Sequence, residues 1–412
     1  MSAAAGTDPV RALPTGAVLS QPLAAALAAA TEDRIVYDLA GIGRSLDTLR
    51  AELPGVHVRF ALKACPLDEV LGVLARRGAG VDAASPGEVE QALRAGVPAG
   101  RVHYGNTVKS DRHIAEAYRL GVRTFATDSA EDVAALAVHA PGARVFCRVA
   151  TGGAGAVWGL SNKFGCPPED AVDVLARARD AGLVPAGLSV HVGSQQMTGE
   201  AWHAAVDDLG DVLRALDRRG IRVDHVNLGG GLPALGYRDR RGALLDPPLD
   251  KIFRVIREGT DELRRVHGGP LDFVVEPGRH LVADHGAIRA HVTRLAERRG
   301  ADGERQYWLY LSCGKFNGLY EMDALQYPLH FPGHTAGPRV PAVVAGPTCD
   351  SDDAYSHEEG LVRVPAALAS GDPVWVLSCG AYATSYTTLG FNGFAPLPHA
   401  WADRPEGTGA DG

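Results

Sequence analysis

Residues 56–66 read VHVRFALKACP, an extended apolar run that ends on a lysine, Lys63. Burying that amine is costly unless something uses it. Helical spacing over 67–77 follows at once, and Pro66 suits a helix start, where a missing N–H costs nothing. The same pairing of strand and helix recurs along the chain. Further extended runs lie at 80–83, 101–105, 124–127, 144–150, 187–192, 225–228 and 272–275, with helical spacing over 86–95, 111–120, 130–139, 168–181 and 202–219 between them. Eight strands, most trailed by a helix, predict an α/β fold built on a parallel (β/α)8 barrel, because parallel neighbours need a crossover connection. A doubly wound open sheet is the rival.

Beyond the eighth strand the rhythm changes. Runs at 286–293, 307–312, 342–345 and 374–378 follow without long helices between them, which predicts a second, mostly β domain. The expected boundaries are 36–282 for the barrel and 283–402, with 16–35, for the β domain. Residues 1–15 and 403–412, rich in Gly, Ala, Pro and charge, read as mobile ends. A chain of 412 residues has room for both domains.

Composition excludes several classes of function. The 41 basic residues are outnumbered by 49 acidic ones and scattered, for a net charge of −8, so no nucleic-acid partner is expected. Six cysteines lie far apart without CxxC or zinc spacing, which reads as reduced thiols in a cytoplasmic protein with no metal centre. The start, MSAAAGTDPV, lacks a charged region followed by an apolar one, and the apolar run 23–30 is far short of the ~20 residues that span a bilayer. Neither export nor membrane embedding is expected.

In a barrel enzyme the chemistry sits at the C-terminal ends of the strands. Lys63 ends the first, Asp82 the second, Asn106 follows the third and Arg148 lies in the fifth. His191 ends the sixth, Gly229, Gly230 and Gly231 follow the seventh, and Glu276 and Arg279 follow the eighth. The triple glycine of NLGGGLP lets backbone N–H groups close on an anion where barrels commonly hold phosphate; a flexible turn is the alternative. Lys63 is either a snorkelling side chain or an amine that forms a Schiff base with a carbonyl cofactor. A phosphate site beside a positioned lysine favours pyridoxal 5'-phosphate, whose ring nitrogen needs a carboxylate such as Glu276; an ion pair between Glu276 and Arg279 is the alternative. His191 is a core histidine or a flat ring that stacks on the cofactor. Ser194 gives its hydroxyl to the phosphate or shapes a turn. Asp82 and Arg148 can equally be a structural pair in the barrel mouth, and Cys349 alone reads as a small buried hydrophobe.

The ordered stretches FALKACP, VDAASPGEVE, RVATGG with SNKFG, SVHVGSQQ, NLGGGLP, VVEPGRH, GPTCDSDD and GAYATSYTTLGFNGF resemble the motifs of the alanine-racemase-fold (fold type III) pyridoxal-phosphate decarboxylases, in their ornithine/lysine decarboxylase branch. The similarity runs from about residue 35 to 394. It implies that Lys63 carries the cofactor, His191 stacks on its ring and Glu276 contacts the pyridine nitrogen. Ser194, Gly229, Gly230, Gly231, Arg279 and Tyr382 would surround the phosphate, with Asp82 and Arg148 behind them. It also implies a head-to-tail homodimer with shared active sites, in which Cys349 reprotonates Cα and Asp350 binds the distal amine of an amino-acid substrate. The implied reaction is decarboxylation of a basic amino acid, ornithine-like, lysine-like or a modified relative, to the amine. One position departs from the pattern: in YLSCGKFNGLYE neither Ser312 nor Cys313 is the aspartate that similar enzymes place there for the substrate's terminal ammonium. Asp350 and Asp353 would then suffice, or Glu321 substitutes, or the substrate has a different side chain. A meso-diaminopimelate decarboxylase, a non-catalytic regulator of the same fold and a racemase are the alternatives; the CDS sequence at Cys349, where the first usually has a glutamate in place of Asp350, argues against it.

Overall fold

A computed structural model of the chain describes residues 11–12, 18–159, 163–300, 303–356 and 360–402. Of the two expected mobile ends, only Arg11 and Ala12 are described, as a short strand antiparallel to Val18–Leu19; the rest lies outside the described residues. The chain divides into two compact units. One comprises Gly43–Pro233 and Pro247–Gly278; the other takes the chain up to Ile42, Ala234–Asp246 and the chain from Arg279.

The first unit is a closed barrel of eight strands, β1 (Val56–Ala61), β2 (Gly80–Ala83), β3 (Val102–Tyr104), β4 (Thr124–Thr127), β5 (Arg144–Arg148), β6 (Val184–Ser189), β7 (His225–Asn227) and β8 (Asp272–Val275). Each strand pairs in parallel with its successor, and β8 pairs with β1 to close the ring. The helices Asp68–Arg76, Pro86–Arg94, Asp111–Arg119, Ala130–His139, Pro168–Asp180, Glu200–Arg218 and Leu249–His267 supply the crossovers. Ser85, Ser110 and Ser129 begin three of these helices, each accepting a hydrogen bond from the backbone N–H three residues on. Such caps are worth about 1 kcal/mol apiece. Pro66 does not start a helix: the first helical residue is Asp68, and Lys63 sits in a one-turn 3₁₀ segment between strand and helix.

Side chains from alternate strands fill a barrel in layers. Here one layer holds His103 of β3, Phe146 of β5 and His225 of β7, with ring centroids 5.2 to 5.5 Å apart. Arg59 of β1 joins them, close enough for its charge to act on His103. This layer is polar where barrels usually place branched aliphatic residues.

In the second unit, Gly286–Arg299 is the central strand of a mostly antiparallel sheet. It pairs with Arg305–Leu311, Pro373–Val376 and Arg34–Tyr37, while Arg339–Ala345 extends the sheet in parallel beyond Arg305–Leu311. The helix Gln21–Ala29 packs Leu23 and Leu27 with Val36, Ala287 and Trp375 into one apolar cluster. Ala234–Asp246, expected within the barrel, belongs to this unit for a local reason. Asp284 accepts the N–H groups of Leu235 and Gly236, and Arg238 exchanges backbone hydrogen bonds with Gln326. Among the described residues no helix is long and apolar enough to cross a membrane.

Candidate active site

The barrel brings Lys63, Asp82, Arg148 and Glu276 to strand ends on one rim, with His191 in the loop just beyond. Lys63 is exposed, two residues past the end of β1 rather than ending it. Asp82 lies in β2 with its Oδ1 buried and lacking a hydrogen-bond partner. Opposite it stands Gly105, where a Cβ would come within 1.9 Å of that oxygen, so only glycine leaves the carboxylate its place. Burial raises the Asp82 pKa well above the carboxylate range; the charge of Glu276 adds to the rise, and Lys63 opposes it. Asp82 and Arg148 make no ion pair. Instead the Arg148 guanidinium lies 5.0 Å over the ring of Phe164, at the end of the SNKFG stretch whose Ser161 and Asn162 fall outside the described residues.

Glu276 follows β8 directly. Its Oε1 accepts a short hydrogen bond from Asn227 Nδ2, and its N–H donates to Gly229 O at 2.7 Å. Burial raises its pKa, against the pull of Asn227, Arg148 and Lys63. His191 lies two residues past β6 rather than ending it, and its carbonyl accepts from Thr151 Oγ1 at 2.6 Å. Burial, then the charges of Arg148 and Lys63, push its pKa down to about 3, so the ring is a neutral plate at physiological pH.

The three glycines have a steric reason of their own. A Cβ on Gly229 would stand 2.0 Å from Val190 O, on Gly230 2.9 Å from Glu276 O, and on Gly231 2.5 Å from Gly193 O. Without side chains, the loops after β6, β7 and β8 close together under one another. Ser194 begins a short strand, Ser194–Gln196, antiparallel to Ala156–Trp158, and Gln195 has a left-handed φ of 53°.

The remaining expected site residues belong to the β unit. Arg279 donates both terminal nitrogens to Glu321 and one also to the Tyr237 hydroxyl, with its guanidinium 4.8 Å over the Tyr382 ring. Ser312 Oγ accepts the N–H of His291 at 2.9 Å. Asp353 is buried and accepts from Lys315 N, Thr348 N and Thr348 Oγ1, so its carboxylate is committed to holding its own loop. Cys349 is exposed, contrary to its reading as a buried hydrophobe, with its N–H bonded to Asn392 Oδ1. Asp350 is exposed beside it.

Two contributors were missed in the sequence. Asn227 braces Glu276 through Nδ2 and the glycine loop through Oδ1, which accepts from Gly229 N at 2.9 Å. Its signal was available: it is a polar residue at the C-terminal end of a strand, the region that drew attention to Lys63. Gly105 has no comparable signal, because its constraint comes from a side chain 23 positions away.

This donor set fits pyridoxal phosphate. A lysine amine, a buried carboxylate, a neutral flat imidazole and an orphaned carboxylate oxygen suit its aldehyde, ring nitrogen and ring face. Comparison with known proteins agrees. Residues 39–283 match the family described as pyridoxal-dependent decarboxylase, pyridoxal binding domain. The chain is 32% identical to a lysine/ornithine decarboxylase of Selenomonas ruminantium over 378 residues, 90% of each protein. A crystal structure of lysine decarboxylase from the same organism superposes with a TM-score of 0.81 at 30% identity, covering 94% of this chain and 97% of that one. The lysine/ornithine decarboxylase of Vibrio vulnificus, solved with cadaverine, gives 0.81 at 28% identity over 94% of this chain and all of that one. The chain belongs to the pyridoxal-dependent decarboxylases, enzymes that take the carboxyl group from amino acids.

Proposed function

We propose that this enzyme decarboxylates a basic amino acid, ornithine-like, lysine-like or a modified relative, to the corresponding amine. The observation that carries the reading is the gathering of Lys63, Asp82, Arg148, His191 and Glu276 at the C-terminal rim of one closed barrel. Bound pyridoxal phosphate supplies an electron sink for the carbon left when carbon dioxide departs. Lys63 would hold the cofactor through its amine. Glu276, braced by Asn227, would hold a proton at the ring nitrogen, and His191 would cover the ring face. Ser194, Gly229, Gly230, Gly231, Arg279 and Tyr382 are the proposed surroundings of the phosphate.

For the return of a proton to Cα we assign Cys349, and for the distal ammonium Asp350, both acting on the site of a second copy in a head-to-tail homodimer. Their exposure supports this, as does the apolar surface of Leu389, Phe391 and Phe394 that follows in the same unit. Asp353 and Glu321, with their carboxylates already bonded, are poor candidates for the ammonium. Carbon dioxide release across a panel of basic and modified amino acids, with Lys63→Ala as control, is the test. A panel without turnover while the cofactor is bound would sink the assignment.

A further inference from the structure

Below the layer of His103, Phe146 and His225, the N-terminal end of the barrel opens into a cavity of about 390 Å³. Arg50, Arg59, Arg101 and Arg144 line it against two acids, Asp224 and Asp272, so the guanidinium groups outnumber the carboxylates by two. The face carries none of the chemistry described above, and placing four arginines at one barrel mouth is not what burial of apolar surface asks for.

Their bonding shows which are engaged. Arg144 Nη2 lies 2.6 Å from both oxygens of Asp224. Arg50 and Arg101 each reach only a backbone carbonyl, of Arg77 and Gly78. Among the described residues Arg59 has no ion pair, and its buried Nε lacks a hydrogen-bond partner. Two more buried nitrogens in the lining share that condition: Nδ1 of His103, a residue 4% exposed, and Nε2 of His225, 7% exposed. Buried polar atoms are almost always satisfied, so three orphans around one cavity point to an absent partner. The field there is positive: after burial itself, Arg59, His225 and Arg144 each disfavour a charge on His103.

The tautomer of His225 narrows the chemistry. Its Nδ1 lies 3.2 Å from Asp224 Oδ1, an acceptor only, and therefore carries the hydrogen. Nε2 is then a lone pair that needs a donor, while Arg59 and Arg101 need acceptors. Monohydrogen phosphate is a dianion that offers both. We propose that this cavity is a phosphate site, taking inorganic phosphate or the phosphate group of a small ester between Arg59 and Arg101, beneath His103 and His225.

The experiment is calorimetric titration of the holoenzyme, in which the cofactor already fills its own phosphate seat. Inorganic phosphate, glycerol phosphate and sulfate form separate arms at pH 7 and matched ionic strength. Saturable binding of one phosphate per chain is expected, with sulfate at least tenfold weaker because it has no proton to give His225. Arg59→Met and Arg101→Ala should each weaken phosphate at least tenfold while the cofactor's absorbance band persists. Tighter binding of glycerol phosphate identifies an ester as the natural ligand, and tighter binding of inorganic phosphate identifies the free ion; either supports the site. Absence of saturable binding in both phosphate arms overturns the proposal, as does undiminished binding in both arginine variants or sulfate binding as tightly as phosphate.

Discussion

Arg279 and Glu321 meet in a two-pronged ion pair, Nη1 to Oε2 and Nη2 to Oε1 both at 2.6 Å, with side chains only 4% and 7% exposed. Parallel bonds of this kind match the planar fork of a guanidinium and fix both partners. Glu321 is thereby withdrawn from the acids that could replace the aspartate missing at position 312. Asp353 is withdrawn by its three hydrogen bonds. Of the three acids proposed for the substrate's distal ammonium, Asp350 alone is exposed.

Glu321→Gln keeps the volume and removes the charge, leaving a buried guanidinium without its counterion. Breaking one side of a buried pair costs about 3–5 kcal/mol. A thermal melt should therefore move down by several degrees, with no gain in turnover of ornithine or lysine. An unchanged melting temperature would show that water or Tyr237 already compensates Arg279.

Ser312→Asp restores a charge while keeping an acceptor for the His291 N–H. A buried charge partner is commonly worth ~2–5 kcal/mol, so kcat/KM for lysine or ornithine should rise at least tenfold if the wild type lacks an ammonium ligand. Efficient wild-type turnover of either amino acid, with no gain in the variant, would end the idea of an unusual side chain in the natural substrate.

Much of the barrel was legible because its strands are short apolar runs and its helices carry their own caps, both local signals. β6 shows where that fails. The extended run was expected over 187–192, yet the strand spans Val184–Ser189 and absorbs Pro185 through a register shift between Pro185 and Gly187. Because the strand ends at Ser189, His191 falls in a loop. Ala234–Asp246 was placed in the wrong unit because nothing in its sequence shows that Asp284 and Gln326 hold it. Lys63 was found as a strand-end lysine, but Lys109, after β3, shows the other fate. Its ammonium is fully buried and bonded to Asp132 and three backbone carbonyls, a structural role that spacing alone does not separate from a catalytic one.

Gly105→Ala places a methyl group where Asp82 Oδ1 now lies. The carboxylate has to move, in a packed setting where added methyl groups cost typically 1–3 kcal/mol. Lower thermal stability and weaker retention of the cofactor on dialysis are expected together. Gly100→Ala, at a position with open space around its Cβ, is the control and should alter neither.

His191 makes a pH-dependent contribution whose sign follows from its environment. Its folded pKa is about 3 and its ordinary value is 6.5, so the folded protein holds the ring neutral while the unfolded chain takes up a proton below about pH 6.5. The unfolded state binds more protons between those values, and stability therefore falls as pH drops through that window at up to about 1.4 kcal/mol per unit. Above pH 6.5 the contribution is fully present. Asp82 and Glu276, whose pKa values are raised, act in the opposite direction on acidification, so wild type must be compared with a variant that retains both. His191→Phe keeps a flat ring and removes the titration. Between pH 7.5 and 5.0 the wild type should lose about 2 kcal/mol more than His191→Phe, read from denaturant midpoints of the two proteins side by side. Parallel pH curves would mean that the imidazole is already solvated in the folded state and that its neutrality is not imposed by burial beside Arg148 and Lys63.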